Sequence, residues 1–281
     1  MAGPTREQRI SGIRDPGYLL YLAVKSFVLV CLETILRRNR QITEIKDEAF
    51  SRFWRLINPP KDPNEPLVGS QTLIPPLLAT AAGDVLELGP GSGEQIQYFK
   101  PATQVRRIYG AEPVLPLHDD IQANARRHGL GDRYFVVTAG AEKATLIPGL
   151  AKAGLLEKKS PGSGVFDTVV CVRVLCSVQD LHETAGTVYQ LLKPGGKLLI
   201  CEHTVNPWTT SKGSYIARAF QFIYSALGWT FFVGNCHITR DIRRAVTEAA
   251  VPYGGWARVD LTDHFGWSVL PYVSGTLVKR G

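Results

Sequence analysis

Residues 84–94 decide the fold, and they read Asp84-Val85-Leu86-Glu87-Leu88-Gly89-Pro90-Gly91-Ser92-Gly93-Glu94. Apolar residues on both sides of Glu87 predict a buried β-strand that runs directly into a glycine-rich turn. Residues 95–99 follow with apolar side chains at helical spacing, and a helix there would offer free N–H groups to a polar ligand. Because glycine lacks a Cβ and adopts positive φ, the turn allows a ligand to approach the backbone closely. The sequence therefore predicts a nucleotide-like cofactor over Gly89 to Gly93, the alternative being a turn without a ligand.

The chemistry of the turn distinguishes between two kinds of nucleotide cofactor. The dinucleotide fingerprint G-x-G-x-x-G needs a sixth-position glycine, and that position counted from Gly89 is Glu94. A carboxylate at Glu87 would also repel a pyrophosphate, whereas it suits a cationic amino-acid moiety. The pattern E-x-G-x-G-x-G resembles that of the S-adenosylmethionine-dependent methyltransferases of class I. This resemblance implies an α/β, Rossmann-like doubly wound and mostly parallel sheet with S-adenosyl-L-methionine as the cofactor.

A second acidic residue lies where such a cofactor needs one. Residues 108–111 predict the second strand, and Glu112 ends it 19 residues after Gly93. A carboxylate at this place can accept hydrogen bonds from both hydroxyls of a ribose. The alternative for Glu112 is a solvated glutamate in a loop.

Two later strands supply the rest of the predicted cofactor site. A third strand at residues 134–139 precedes a segment that borders the adenine in the methyltransferase pattern. Residues 166–172 form a continuous apolar run, which is typical of a central parallel strand, and its carboxyl end lies where open α/β sheets bind ligands. Residues 172–176 are therefore expected to face the sulfonium and the methyl acceptor. The residues predicted to bind the cofactor are Glu87, Gly89, Gly91, Gly93, Glu112, Ala141, Glu142, Arg173 and Val174.

The N-terminal region predicts a helical extension. Residues 1–17 are polar with two prolines and predict a flexible arm, whereas residues 18–36 are strongly apolar and almost long enough to span a membrane. Charges interrupt this segment, and at about 100° per residue the polar positions fall on one narrow face, which favours an amphipathic helix. Three interpretations remain open: packing on the protein's own substrate pocket, an interfacial membrane anchor, or a transmembrane helix. The polar positions are Lys25, Ser26, Glu33, Arg37 and Arg40.

The last third of the chain adds aromatic residues and two more strands. Residues 214–232 are aromatic and apolar, and together with the helix at 18–36 they predict an apolar lid over a small hydrophobic substrate. Segments 256–261 and 272–278 predict an edge hairpin. We therefore expect an N-terminal arm, helix and lid at residues 1–66 and a cofactor-binding domain at residues 67–281.

Charge and cysteine content exclude several classes of function. The formal net charge is +7, but the basic residues are dispersed in pairs without interleaved aromatic residues, so nucleic-acid binding is not predicted. An acidic membrane surface remains compatible with this charge. The chain has 5 cysteines and no C-x-x-C pair, so neither a disulfide framework nor a metal site is expected. An intracellular location follows, either cytoplasmic or associated with the endoplasmic-reticulum membrane.

Further motifs resemble one branch of the class, the methyltransferase-like 7 (thiol methyltransferase 1) family. The resemblance covers roughly residues 84–278 and implies a membrane-associated enzyme that methylates small alkyl thiols. The chain departs from the family at Pro90 and Ser92, in a longer loop at 151–164 and in its charged N-terminal helix, so fungal-type tailoring methyltransferases of secondary metabolites, acting on hydroxyls or carboxyls, are an equal alternative. The matching stretches are Val169-Val170-Cys171, Val174-Leu175-Cys176-Ser177-Val178, Leu192-Lys193-Pro194-Gly195-Gly196, Glu202-His203 and Gly234-Asn235-Cys236-His237-Ile238-Thr239-Arg240.

Methyl transfer from a sulfonium is an in-line displacement in which an enzyme mainly positions the partners and excludes water. A hydroxyl acceptor usually needs a general base, whereas a thiol needs less help because its pKa lies closer to neutrality. His203 is the preferred candidate base because strand ends face the cofactor in this fold, His237 is the second, and a structural histidine is the alternative at both. Arg173 is expected either to bind an acidic substrate or to pair with Glu202. A cofactor-binding protein without activity and a nicotinamide enzyme remain as competing classes, the second disfavoured by Glu87 and by the missing sixth-position glycine. A lipid-modifying methyltransferase at a membrane is the closest enzymatic alternative.

Overall fold

The computed structural model describes residues 3–35, 41–59, 66–99, 104–156 and 163–281. The chain folds into two compact units, each assembled from separate segments. The sheet unit contains residues 60–202, 242–262 and 273–281, and the helical unit contains residues 1–59, 203–241 and 263–272. The predicted domain boundary at residue 66 adjoins residues 60–65, which lie outside the described residues, and it stays a prediction.

A seven-stranded sheet with the order β3-β2-β1-β4-β5-β7-β6 forms the centre of the sheet unit. Strand β1 pairs in parallel with both β2 and β4, β2 pairs in parallel with β3, and β4 pairs in parallel with β5. This topology confirms the predicted doubly wound, mostly parallel α/β fold, and β6 and β7 are neighbours at one edge, where the sequence predicts a hairpin. The strands are β1 (Gly83–Leu88), β2 (Val105–Ala111), β3 (Tyr134–Val137), β4 (Phe166–Val172), β5 (Leu192–His203), β6 (Trp256–His264) and β7 (Tyr272–Lys279).

Some of the helices belong to the same unit as this sheet, and the others form the helical unit. Those of the sheet unit are α3 (Ile74–Leu78), α4 (His118–Arg127), α5 (Lys143–Lys152), α6 (Leu181–Leu191) and α9 (Ile242–Glu248), and those of the helical unit are α1 (Arg6–Ile35), α2 (Ile42–Ile57), α7 (Tyr215–Ala226) and α8 (Trp229–Phe232). Strand β4 is buried at every position except Asp167, as expected for a strand covered on both faces. Its run of apolar residues is therefore the core of the unit, and it predicted the bounds of the strand correctly.

Strand β5 includes the stretch Leu192-Lys193-Pro194-Gly195-Gly196, which is one of the motifs that carry the family resemblance. The strand begins already at Leu192, and its register shifts, because Phe166 pairs with Leu192 while Thr168 pairs with Lys197. Gly195 has a φ of +73°, so the Pro-Gly-Gly segment forms a bulge inside the strand rather than a turn before it.

Helix α1 begins at Arg6, so the predicted flexible arm is wrong from that residue onward. Its first turn is capped reciprocally, because the Thr5 N–H donates to Gln8 Oε1 at 2.9 Å and the Gln8 N–H donates to Thr5 Oγ1 at 3.2 Å. Pro16 lies inside the helix and cannot donate to the carbonyl of Gly12, four residues earlier. That carbonyl instead accepts from the N–H of Val269 and from Ser268 Oγ, both at 3.0 Å, and the helix continues through the proline.

The two faces of α1 are arranged differently from the prediction. Ser26 is buried, not exposed, and lies in a stripe that packs within the helical unit. Lys25 and Glu33 are exposed, and Arg37 and Arg40 lie outside the described residues. Residues Arg6–Thr34 are long and apolar enough to cross a membrane by length and composition, and 22% of their most apolar stretch is buried inside the protein. The buried stripe is Gly12, Pro16, Leu20, Ala23, Ser26 and Val30.

Candidate active site

The glycine-rich turn follows β1 as predicted, and its glycines adopt conformations that other residues avoid. The φ angles of Gly89, Gly91 and Gly93 are +58°, +63° and +83°. A Cβ on Gly89 would lie 2.7 Å from Cγ2 of Val174, so the turn and the segment after β4 approach each other too closely for any side chain. The predicted helix after the turn is a 3₁₀ turn of 3 residues, Ile96–Tyr98, and it is too short to act as a helix N-terminus for a ligand.

Glu112 joins the turn to the end of β2. Its Oε2 accepts from the N–H of Gly91 and its Oε1 accepts from the N–H of Val114, each at 3.0 Å, and the residue is 4% exposed. Each oxygen of an ionised carboxylate can accept more than one hydrogen bond, which is the property that the predicted contact with ribose hydroxyls needs. The bond to Gly91 holds the carboxylate and the glycine turn in one arrangement.

Glu87, at the end of β1, is 2% exposed and accepts a hydrogen bond from the hydroxyl of Tyr134 at 2.7 Å. Burial raises the pKa of Glu87 to about 7; the bond from Tyr134 opposes this rise, and the charges of Glu94 and Glu112 add to it. The Glu87 carboxyl is therefore close to half ionised at neutral pH. Sequence reasoning missed Tyr134 as a residue of this site.

Three acidic residues, Glu87, Glu94 and Glu112, thus act on one another beside the glycine turn. A pyrophosphate would add negative charge to this cluster, whereas a ligand with a sulfonium and an ammonium group would neutralise it. The residues present therefore fit S-adenosylmethionine and do not fit a dinucleotide.

The segment after β3 contains the residues predicted to border the adenine. Ala141 is buried, and Glu142 immediately precedes α5. Glu142 Oε1 accepts from the N–H of Gln179 at 3.2 Å, which ties this segment to the loop after β4. A side chain at Gly140 would clash with the Glu142 carboxylate, so the position of Glu142 depends on that glycine.

The segment after β4 is shaped by Glu202, a fully buried residue near the end of β5. Glu202 Oε1 accepts from the N–H groups of Val174 at 2.8 Å and Leu175 at 3.0 Å. Arg173 has a φ of +59°, which is rare for a side chain of its size, and its guanidinium donates to Ser70 Oγ at 3.0 Å. Glu202 thereby fixes the backbone that follows β4, a positioning role that the sequence prediction did not assign to it.

His203, the predicted base, is the last residue of β5, and the contacts of its ring described below are with residues of the helical unit. Its Nε2 lies 2.7 Å from the hydroxyl of Tyr272, and its Nδ1 lies 3.6 Å from Sγ of Cys236. Both ring nitrogens therefore have a hydrogen-bonding partner. His237, the second candidate base, has its pKa lowered by burial and by the charge of Arg240.

The predicted residues thus fall into two groups. The sheet unit brings the glycine turn into contact with Glu112 and Val174, whereas His203 has its contacts in the helical unit. Cys236 belongs to a motif that the sequence marked, but nothing in the pattern indicated that Tyr272 or Cys236 would contact the histidine.

Known proteins resemble this chain in sequence and in fold. A family model described as a methyltransferase domain matches residues 38–249. Thiol S-methyltransferase TMT1B of Rattus norvegicus is 28% identical over 199 residues, which cover 69% of this chain and 70% of that protein. Thiol S-methyltransferase TMT1B of Homo sapiens is 30% identical over 174 residues, which cover 61% of this chain and 62% of that protein. The solved structure of an O-methyltransferase family protein from Burkholderia thailandensis shares the fold, with a TM-score of 0.53, 17% identity and coverage of 97% of this chain and 72% of that chain.

Proposed function

We propose an acceptor and a catalytic arrangement for this chain, which belongs to the methyltransferase-domain family and is an S-adenosylmethionine-dependent methyltransferase. The resemblance to the thiol methyltransferase family that the motifs predicted is confirmed. S-adenosylmethionine supplies a methyl group that its sulfonium activates toward a nucleophile. The acceptor that we propose is the thiol of a small hydrophobic molecule.

The observation that carries this proposal is the state of His203. Its two ring nitrogens lie at hydrogen-bonding distance from Tyr272 and Cys236, so it is not an uncommitted base. A thiol is a much stronger acid than the matching alcohol and needs less help to lose its proton, whereas an alcohol needs a base that is free to take it. The names of the curated relatives point to the same acceptor, because those proteins are thiol S-methyltransferases.

The cofactor roles that we propose follow from the contacts in the sheet unit. Glu112 would accept from the ribose hydroxyls, because its carboxylate is already held by two backbone N–H groups. The glycine turn and Glu87 would hold the amino-acid portion, Glu87 as the partner of its ammonium group. Ala141 and Glu142 would border the adenine, and Arg173 and Val174 would line the side where the acceptor enters.

His203 would then receive the acceptor's proton as the acceptor sulfur takes the methyl group, whose bond to the sulfonium would break and leave S-adenosylhomocysteine. The contact with Cys236, at 3.6 Å, is the weaker of the two that occupy the ring and is the one that would give way. Tyr272 would keep the ring oriented through the bond to Nε2. In this arrangement His203 would assist the acceptor whose proton leaves more readily, which is the thiol.

We also propose that the enzyme works at an intracellular membrane, such as that of the endoplasmic reticulum. The support is α1, which is apolar and long enough to cross a membrane and which exposes large apolar side chains. A membrane would concentrate hydrophobic thiols near the enzyme. The role of α1, α7 and α8 as a lid over the substrate stays a prediction.

The acceptor is tested by supplying the purified full chain with methyl-labelled S-adenosylmethionine and a pair of acceptors that differ in one atom, an alkyl thiol and the matching alcohol. We expect label in the thioether and none in the ether. The variant Glu112→Ala should weaken cofactor binding by about 1–3 kcal/mol and lower the turnover of any acceptor, which tests the cofactor site separately. Faster labelling of the alcohol would overturn the thiol assignment.

The role of His203 is tested with His203→Gln and Tyr272→Phe. Both should lower turnover of the thiol most strongly well below the pKa of that thiol, where it depends on a base, and less above that pKa, where it ionises by itself. A loss of equal size at all pH values would instead assign His203 a structural role.

A further inference from the structure

Helix α7 presents an unusual distribution of polar and apolar residues. Its exposed face is an apolar stripe at helical spacing, in which Tyr215, Ile216 and Leu227 are 71%, 62% and 61% exposed. The stripe recurs at intervals of three and four residues, so it occupies one side of the helix. Its members are Tyr215, Ile216, Ala219, Phe222, Ile223, Ala226 and Leu227.

The opposite face of α7 is held in the helical unit by a polar residue. Gln221 is fully buried, and its side-chain amide donates to the carbonyls of Ile238 at 2.8 Å and Val269 at 2.9 Å. Its Oε1 accepts from the N–H of Asn206 at 3.1 Å. These bonds fix the rotation of the helix, so the apolar stripe cannot turn inward. An amide is therefore buried beside Ala217 on the inner side of α7, while apolar side chains are exposed on its outer side.

Helix α1 of the same unit also exposes large apolar side chains. Its buried stripe combines Gly12, Pro16 and Ser26 with Leu20, Ala23 and Val30, and its exposed residues include Tyr18 at 60%, Tyr21 at 57% and Leu32 at 55%. Monomeric soluble proteins rarely expose apolar surface in continuous stripes, and larger exposed patches mark sites of interaction. Two neighbouring helices that both expose apolar side chains indicate one apolar surface on this unit.

The charges and aromatic residues of these stripes indicate the occupant. Between residues 18 and 32 the charged residue is Lys25, and between residues 215 and 227 it is Arg218, so both segments carry a cation and no carboxylate. The guanidinium of Arg218 lies 4.3 Å from the ring centre of the exposed Phe222. Cations beside apolar side chains complement an anionic lipid surface.

Aromatic residues with polar tips flank both stripes. The rings of Tyr18 and Tyr21 stack with centres 6.1 Å apart, and those of Trp208 and Tyr215 meet edge to face at 5.4 Å. Tyrosine and tryptophan are enriched at the level of lipid headgroups. A helix of 12 residues is too short to span a bilayer, which needs about 20, so α7 can only lie in the plane of the membrane.

We propose that the exposed stripe of α7 is a second membrane-docking element, which inserts beside α1 into the surface of a bilayer that contains anionic lipid. The two helices form one platform on the helical unit, and α7 contributes binding that α1 alone does not. The proposal deepens the membrane association proposed above and does not depend on which acceptor is methylated.

The test is co-flotation of the full chain with vesicles of phosphatidylcholine and phosphatidylserine. The variant Phe222→Ser/Leu227→Ser should lower the fraction bound at least tenfold, and salt should weaken binding of the wild-type chain. Leu115→Ser is the matched control, because Leu115 is 62% exposed, like Leu227 at 61%, and lies in the sheet unit. It should bind as the wild-type chain does, and all three proteins should keep the same affinity for S-adenosylhomocysteine.

The possible results distinguish the role of α7 from the membrane association of the whole protein proposed above. Equal binding of the α7 variant and the wild-type chain would overturn the role of α7 and leave membrane association through α1 intact. No binding of the wild-type chain would overturn both. A lipid-free dimer that the α7 variant converts to a monomer would show that the stripe is an interface between copies, and would also overturn the proposal.

Discussion

The hydrogen bond from the Tyr134 hydroxyl to Glu87 lowers the pKa of the Glu87 carboxyl against the rise that burial causes, so removing this one oxygen atom should change the charge of the cofactor site. Replacing Tyr134 with phenylalanine removes the hydroxyl and keeps the ring, which is buried at the start of β3. Glu87 would then lose a donor 2.7 Å from its Oε2 that favours the ionised form of its carboxyl. If the ionised Glu87 pairs with the ammonium group of the cofactor, the substitution should weaken binding in a pH-dependent way.

The expected size follows from the bond and from the pKa of Glu87. A hydrogen bond to a charged group contributes about 1.5–3 kcal/mol, and about 1.4 kcal/mol corresponds to one pKa unit. The variant should therefore raise the pKa of Glu87 from about 7 to about 8–9. Near pH 7 the ionised fraction falls from about one half to between about one tenth and one hundredth, so affinity should fall roughly 5–50-fold. Near pH 9 the two proteins should bind within about a factor of two of each other.

The assay is calorimetric titration with S-adenosylhomocysteine between about pH 6 and about pH 9. The ammonium group of the ligand titrates identically with both proteins, so the ratio of their affinities isolates Glu87. Tyr109→Phe is the control, because Tyr109 is also a buried tyrosine of the sheet, and its ring packs against Phe135 and Phe166. A ratio that does not change with pH, or an equal effect of Tyr109→Phe, would refute the assignment of Glu87 as the partner of the ammonium group.

Three further substitutions test the energetics of both units. The folded-state pKa of Glu87 lies above its ordinary value of 4.5, so its protonated form stabilises the fold and this contribution is lost as the pH rises through about 7. Glu87→Gln should remove that loss, up to about 3 kcal/mol, so that urea unfolding finds the variant more stable than the wild-type chain at high pH but not near pH 5. Gly89→Ala should lower affinity for S-adenosylhomocysteine at least tenfold in calorimetry, whereas Gly129→Ala, with a φ of +70° and nothing within 4 Å of its Cβ, should change only stability. Gln221→Leu should destabilise the helical unit by about 2–5 kcal/mol in urea unfolding, because it leaves two buried carbonyls without their donor.

The sequence predicted the sheet well because buried strands carry their signal locally. Residues 166–172 were predicted from a continuous apolar run, with the bounds that the structure shows. The prediction of a flexible arm was wrong for residues 6–17, because the contacts that hold this part of the helix come from residues far away in the sequence. Pro16 and a polar composition predict a break, but the helix persists because Ser268 and Val269 bond the carbonyl that the proline leaves without a donor.

The candidate site also combines features that the local sequence predicts with features that depend on contacts between distant residues. The spacing of the glycines and acidic residues was visible in the sequence, because the turn and the strand ends have fixed distances along the chain. The contact between Tyr134 and Glu87 depends on the pairing of β2 with β3, which no spacing reveals. One signal was present: Gly110 lies inside β2, and a Cβ there would collide with the hydroxyl of Tyr134, so the glycine leaves the space through which that hydroxyl reaches Glu87.

The buried carboxylates of the sheet unit differ in the groups that donate hydrogen bonds to them, and therefore in whether they hold the backbone in place or change their charge. Glu112 and Glu202 each accept from two backbone N–H groups, which stay in place whatever is bound, so these carboxylates hold the glycine turn and the segment after β4 in position. Glu87 accepts from the phenol of Tyr134 and is close to half ionised at neutral pH. A cationic ligand can therefore complete the ionisation of Glu87 on binding, and a proton should be released as the complex forms. Because Glu112 and Glu202 keep the surrounding backbone in place, this change of charge can occur at Glu87 without a rearrangement of the site.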